Sequence, residues 1–218
     1  MKAKDGRKSI IRIIDEISGS YSRYEIFSDW VKSCALAMSN ACTFIPDDMW
    51  TSREKEYMAI ANKHGEKAMH RFSEMLAILT MIFEDEMSDV LGQIYMEGEM
   101  GSKQTGQFFT PYHISQMCAK IALSNVSEGG KYVMNEPSCG GGGMIIAAAA
   151  ALKDAGIDYQ LVMDVTAQDL DWKGVYMCYL QLGLLGISAT CIQGDTLSGQ
   201  TVDRMHRLYT PRKVGLII

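Results

Sequence analysis

Through the first hundred residues, apolar positions recur at spacings of three and four, the period of helices with one buried face. The clearest stripe runs from Glu66 to about Met96 through Ala68, Met69, Phe72, Met75, Leu76, Leu79, Ile82, Phe83, Met87, Val90, Leu91 and Ile94. It predicts a helix or a pair of helices. The stretch SDWVKSCALAMSNA predicts another, with Ser28 or Asp29 as its N-cap. No strand is expected in this region, and most of the sixteen methionines fall on such stripes as fillers of a helical core.

From about Lys131 the pattern changes. KYVMNEP, DYQLVMDVTAQD, ISATCIQGD and KVGLII are short apolar or β-branched runs that predict strands. Between them MIIAAAAALKDAG, closed by Gly156, and WKGVYMCYLQLGLLG, closed by Gly186, predict helices. This alternation is that of a doubly wound parallel α/β sheet. The expected organisation is a helical region over residues 1–100 and an α/β domain over residues 101–218, with no internal repeat or low-complexity linker.

Composition narrows the class. With 47% hydrophobic and 22% charged residues the chain is ordinary globular material. A net charge of −5 and a pI near 5.4 argue against holding a polyanion by bulk electrostatics. The clusters DGRKSIIR and DRMHRLYTPRK read as solvated surface rather than a nucleic-acid groove. Arg12, Asp15 and Glu16 interrupt the first apolar run, so no export signal is expected, and no stretch approaches the roughly 20 apolar residues of a membrane helix. The expectation is a soluble, cytoplasmic protein. Its six cysteines lack metal-ligand spacing, so free thiols and no metal site are expected.

The stretch NEPSCGGGGM lies between a predicted strand and a predicted helix. In an open parallel sheet ligands bind at that kind of turn. Glycines there permit positive φ and a close backbone approach, and the following helix offers free amides. Apolar flanks argue against a linker. Asp169 ends the next predicted strand, where a carboxylate can accept from ribose hydroxyls, and Asp195 ends the third, where it can meet an exocyclic amine. Either acid could instead cap a helix, and Asp171 competes with Asp169 for both roles. Together, a glycine turn and two acids at successive strand ends favour a nucleoside-containing ligand. A Rossmann oxidoreductase fits less well, because the glycines do not match Gly-x-Gly-x-x-Gly.

GQFFTP (106–111), NEPSCGGGG (135–143), AQDLD (167–171) and GDTL (194–197) resemble, in order, motifs of the adenine-specific (N6) DNA methylases, as in modification subunits of type I restriction systems. The resemblance covers about half the chain and implies an S-adenosylmethionine-dependent methyltransferase sheet. It implies S-adenosyl-L-methionine as cofactor, with Phe108, Thr110 and Pro111 lining its methionine end. Glu136, where the family usually has Asp, would face its amino group beside Pro137. Gly140 and Gly142 would pass close to it, Asp169 would hold the ribose and Asp195 the adenine amine. Double-stranded DNA is the implied substrate, with a specificity subunit, another copy or a missing domain helping to hold it.

The family's catalytic Asn/Asp-Pro-Pro-Tyr/Phe is not in these 218 residues, whose four prolines are nowhere adjacent. KVGLII then reads as a fourth strand cut off before that motif, or as the end of a shortened relative. The alternative function is a catalytically incomplete cofactor-binding or subunit-docking module. No catalytic residue is assigned.

Overall fold

The computed structural model describes residues 2–100, 109–124, 130–198 and 202–216. They form two compact units, Met1–Glu86 with Val90–Phe108 and Met87–Asp89 with Phe109–Ile218.

The first unit is helical: α1 (Ala3–Ser18), α2 (Arg23–Ala41), α3 (Asp48–Asp85) and α4 (Val90–Glu97). Its core holds Ile10, Ile14, Phe27, Trp30, Phe72, Met75, Leu79 and Tyr95, each at most 1–2% exposed. Trp30 Nε1 donates to the Phe72 carbonyl at 3.1 Å, so the largest buried side chain leaves no donor unpaired. The stripe from Glu66 to Met96 resolves into the end of α3 and all of α4, separated by a polar break at which Glu86 is extended (φ −142°). α3 is itself broken at Gly65, whose φ of 77° no helix contains.

The N-cap of α2 corrects the expectation. The helix starts at Arg23, capped by Ser22, whose hydroxyl accepts from Glu25 N at 3.2 Å while the Glu25 carboxylate accepts from Ser22 N at 3.0 Å. This reciprocal box satisfies two amides that Ser28 or Asp29 could not reach. Asp29 instead accepts from Lys63 Nζ at 2.8 Å and pairs with His64 Nε2 at 2.8 Å. The methionines divide: Met75, Met163 and Met177 are buried, whereas Met58, Met81, Met96, Met117 and Met205 face outward.

The second unit comprises α5 (Tyr112–Ala122), β1 (Tyr132–Glu136), α6 (Gly143–Asp154), α7 (Tyr159–Val162), β2 (Met163–Asp169), α8 (Trp172–Leu184), β3 (Ala189–Gln193) and β4 (Arg207–Tyr209). The sheet order is β1-β2-β3-β4, the first three strands parallel and β4 antiparallel to β3. Alternation in β2 buries Met163, Val165 and Ala167 under the helices and exposes Asp164 and Thr166. On β1 the same alternation leaves Val133 82% exposed. α6, which links β1 to β2, packs against β1, and α8, which links β2 to β3, packs against both of those strands.

Two strand expectations shorten or move. Asp158 caps α7 by accepting from Gln160 N at 3.0 Å, so the second strand begins only at Met163. Over its described residues KVGLII supplies no strand. Pro211–Val214 is a 3-10 turn ended by left-handed Gly215, and Ile217 and Ile218 lie outside the described residues. The fourth strand is Arg207–Tyr209, from the segment read as solvated basic surface, with Leu208 only 4% exposed. Thr210 fixes it, accepting from Ala189 N at 2.9 Å and donating to the Ile187 carbonyl at 2.7 Å.

Replacing Ser22 by Ala should destabilise the chain by about 1 kcal/mol, measured by urea denaturation. The Ser22 backbone and side-chain hydrogen bonds hold the Glu25 carboxyl below its ordinary pKa. A carboxyl lowered in the folded state stabilises above its unfolded pKa and loses that contribution as pH falls through the folded value. The difference between wild type and Ser22→Ala should therefore narrow on acidification below the ordinary carboxylate range.

Candidate functional site

β1, β2 and β3 run parallel, and their C-terminal ends lie side by side, Glu136 opposite Ala167 and Asp169 opposite Gln193. The chain leaves β1 through Pro137 and Ser138 and enters α6 through four glycines. Gly140 and Gly142 have φ of 49° and 92°, the left-handed region that side chains disfavour. Gly142 N donates to the Cys139 carbonyl at 2.8 Å and closes the turn.

The turn is bonded to its neighbour. Gly140 N donates to Asp169 Oδ2 at 2.8 Å and Cys139 N to the Gln168 carbonyl at 2.8 Å. The other Asp169 oxygen accepts from Asp171 N at 2.9 Å. Asp171 takes the capping role, accepting from Lys173 N at 3.0 Å, so the two acids divide the alternatives between them. The third strand end is joined in turn: Gly194 N donates to the Asp169 carbonyl at 2.9 Å, and Thr196 Oγ1 to the Pro137 carbonyl at 2.7 Å. Asp195 is exposed and accepts from Leu197 N at 2.9 Å. Glu136 is half-buried, with a long 3.4 Å bond from Ser138 N.

Close approaches show where a side chain would crowd the turn. A Cβ on Gly140 would lie 2.9 Å from the Phe109 ring, one on Gly142 3.1 Å from Cys178 Sγ, and one on Gly174 3.3 Å from both Asp169 Cγ and the Gly140 carbonyl. The GQFFTP segment therefore meets the glycine turn through Phe109. Thr110 and Pro111 follow, both exposed, with Pro111 directly before α5 and its carbonyl accepting from Ile114 N at 2.8 Å. Phe108 lies outside the described residues. Sequence reasoning missed Phe109 and two large aliphatics beside the acids, Leu170 at 69% and Leu197 at 96% exposure. An apolar residue directly following a strand-end acid, or two on from one, was the available signal.

Cys139, Cys178 and Cys191 cluster beneath the turn, all buried and free. Hydrogen bonds to Cys139 and Cys191, together with burial, push the Cys178 thiol well above its ordinary pKa. For Cys139 the hydrogen bond to Cys178 acts downward, but burial and the nearby Cys191, Asp169 and Glu136 outweigh it, so its pKa is also raised. Among the described residues no group of three or more His, Cys, Asp or Glu side chains is arranged to hold a metal ion. None of the described helices is long and apolar enough to cross a membrane.

Three parallel strands carry the glycine turn and the two acids at one end, and the chain has the fold of S-adenosylmethionine-dependent methyltransferases. A crystal structure from Listeria monocytogenes, described as a class I S-adenosylmethionine-dependent methyltransferase, superposes with a TM-score of 0.55 at 12% identity, covering 91% of this chain and 56% of its own. The family model of the N-6 DNA methylases matches residues 85–216, and the chain belongs to that family. A type I restriction-modification methyltransferase subunit from Streptococcus thermophilus aligns at 11% identity and a TM-score of 0.46, over 94% of this chain and 61% of its own. The chain thus spans between half and two thirds of the length of these two structures. No curated protein matches it.

Two outcomes follow from this geometry. Gly142→Ala puts a Cβ at a strained φ against Cys178 and should cost about 1–3 kcal/mol in urea denaturation. Burial and the upward pKa shifts of Cys139 and Cys178 should keep both from reacting with a disulfide reagent over minutes in the native protein at pH 8, whereas both should react in urea; mass spectrometry of the labelled peptides reads this directly.

Proposed function

We propose that this chain binds S-adenosyl-L-methionine at the strand ends and serves methyl transfer to the exocyclic amine of adenine in DNA. The observation that carries the reading is the joining of the glycine turn to Asp169 and of Asp169 to the Gly194–Asp195 turn, which sets three ligand-facing elements in one frame. The donor set supports the reading: Asp169 and Asp195 keep acceptor capacity beyond their backbone partners, and Gly140 and Gly174 let the turn pack close to Phe109 and to the Asp169 carboxyl that holds it.

In this reading the cofactor supplies an electrophilic methyl. Asp169 accepts from ribose hydroxyls, using the lone pairs that its backbone partners leave over. Asp195 accepts from the adenine amine, and exposed Leu170 and Leu197 cover the faces of the base. Glu136, beside Pro137, meets the ammonium of the methionine end, with Thr110 and Pro111 nearby and Phe108 alongside them in sequence. Gly140 and Gly142 admit the backbone to van der Waals distance. Catalysis by such a site is mostly positioning of the amine in line with the methyl. We assign no residue to orient the amine, because Asn/Asp-Pro-Pro-Tyr/Phe is not among these 218 residues.

We further propose a restriction-modification setting with double-stranded DNA as substrate, held largely by a partner subunit or further domain, since a net charge of −5 supplies little phosphate neutralisation. We assign residues 101–218 to the cofactor domain and 1–100 to a helical region that accompanies it.

Calorimetry with S-adenosylhomocysteine should give micromolar binding, weakened at least tenfold in Asp169→Ala. No heat of binding to the wild-type chain would overturn the cofactor reading. Labelled methyl should pass to unmethylated DNA when a partner subunit is supplied; cofactor binding without transfer would leave the chain as a binding or docking module.

A further inference from the structure

Two buried polar side chains stand behind the glycine turn, outside every motif legible in the sequence. Asp89 is 4% exposed, and Gln181 on α8 is fully buried. Asp89 lies in the short segment Met87–Asp89, which packs with the second unit and is held there in part by Tyr112 Oη donating to the Met87 carbonyl at 2.9 Å. Gln181 Nε2 donates to Asp89 Oδ1 at 2.8 Å and to the Gly141 carbonyl at 2.7 Å, so both amide protons have acceptors.

The carboxylate also faces the turn directly. A Cβ on Gly141 would lie 3.3 Å from Asp89 Oδ1, and one on Gly143 3.1 Å from Oδ2. The Asp89 carboxyl thereby lies beside the start of α6, whose N-cap Gly142 supplies no side-chain bond. The first-turn amides carry partial positive charge, which favours a carboxyl group placed beside them.

A carboxylate and an amide are costly to bury unless they are bonded, and α8 is otherwise buried from Lys173 to Gly183. Leucines would fill the space as well. What they would not do is hold the carbonyl of Gly141, in a turn whose flanking left-handed glycines have no side chains to restrain them.

We propose that Asp89 and Gln181 are positioning residues for the cofactor: a buried clamp that keeps the glycine turn in its ligand-ready shape without touching the ligand. This rests on the cofactor reading above. The carboxylate fixes Gln181 and the start of α6, and Gln181 fixes the Gly141 peptide.

The test uses the full chain and three variants: Asp89→Asn, Gln181→Met, and the exchange pair Asp89→Asn with Gln181→Glu. The exchange pair restores a hydrogen bond between positions 89 and 181 but removes the residue-181 amide donor that reaches the Gly141 carbonyl. Hydrogen exchange of the ligand-free peptide spanning 138–145, and calorimetry with S-adenosylhomocysteine, are the readouts, with circular dichroism to establish folding. Each single variant should speed exchange in the turn and weaken binding at least tenfold, and the exchange pair should not recover the affinity. Gln181→Met, close in volume to Gln, keeps the core filled if Asp89→Asn fails to fold. Folded variants with wild-type exchange in the turn, or an exchange pair that binds as wild type does, would overturn the clamp. A wild-type chain that takes up no S-adenosylhomocysteine would instead overturn the cofactor reading, and with it the role given to the clamp.

Discussion

The hydrogen bond from the Gly140 amide to Asp169 is the constraint on which the site depends. It joins the turn after β1 to the end of β2 through a charge-assisted contact, stronger than one between neutral groups. It exists only because Gly140 can hold a positive φ and because Gly174 leaves room for the Asp169 carboxyl. The second carboxylate oxygen holds the Asp171 amide, and the Asp169 carbonyl holds Gly194. One residue thereby ties together three chain segments that lie far apart in sequence.

The acids at the strand ends each hold a backbone amide close by in the chain. Asp171 caps α8, which releases Asp169 from that task. Asp195 closes its own short turn through Leu197 N yet stays exposed, with acceptor capacity left over. Helix capping and ligand binding use the same chemistry, a carboxylate facing backbone or ligand donors. Which donor each acid meets is decided by the positions of its neighbours on the sheet.

The helices in Glu66–Met96 and the strand Met163–Asp169 were legible because periods of 3.6 and 2 differ strongly. Errors gathered where short-range chemistry competes with period. The reciprocal box of Ser22 and Glu25 moved the start of α2 upstream, and the Asp158 cap turned the first part of an apparent strand into α7. KVGLII reads as a strand by composition, but Pro211 and left-handed Gly215 fold its first residues into a turn, while Leu208 supplies the buried position that makes RLY the strand.

By itself the sequence determined the glycine turn between β1 and α6 and the location of Asp169 and Asp195 at the next two strand ends, because these follow from local pattern and from the order of elements along the chain. It also carried the family, through motifs in a fixed order. Only the tertiary structure decided that Phe109 packs on Gly140, that Asp171 rather than Asp169 is the cap, and that Asp89 and Gln181, 92 residues apart, meet behind the turn. The physical reason is that a buried polar side chain is specified by its partner, and a partner from a distant segment leaves no periodic trace in the chain.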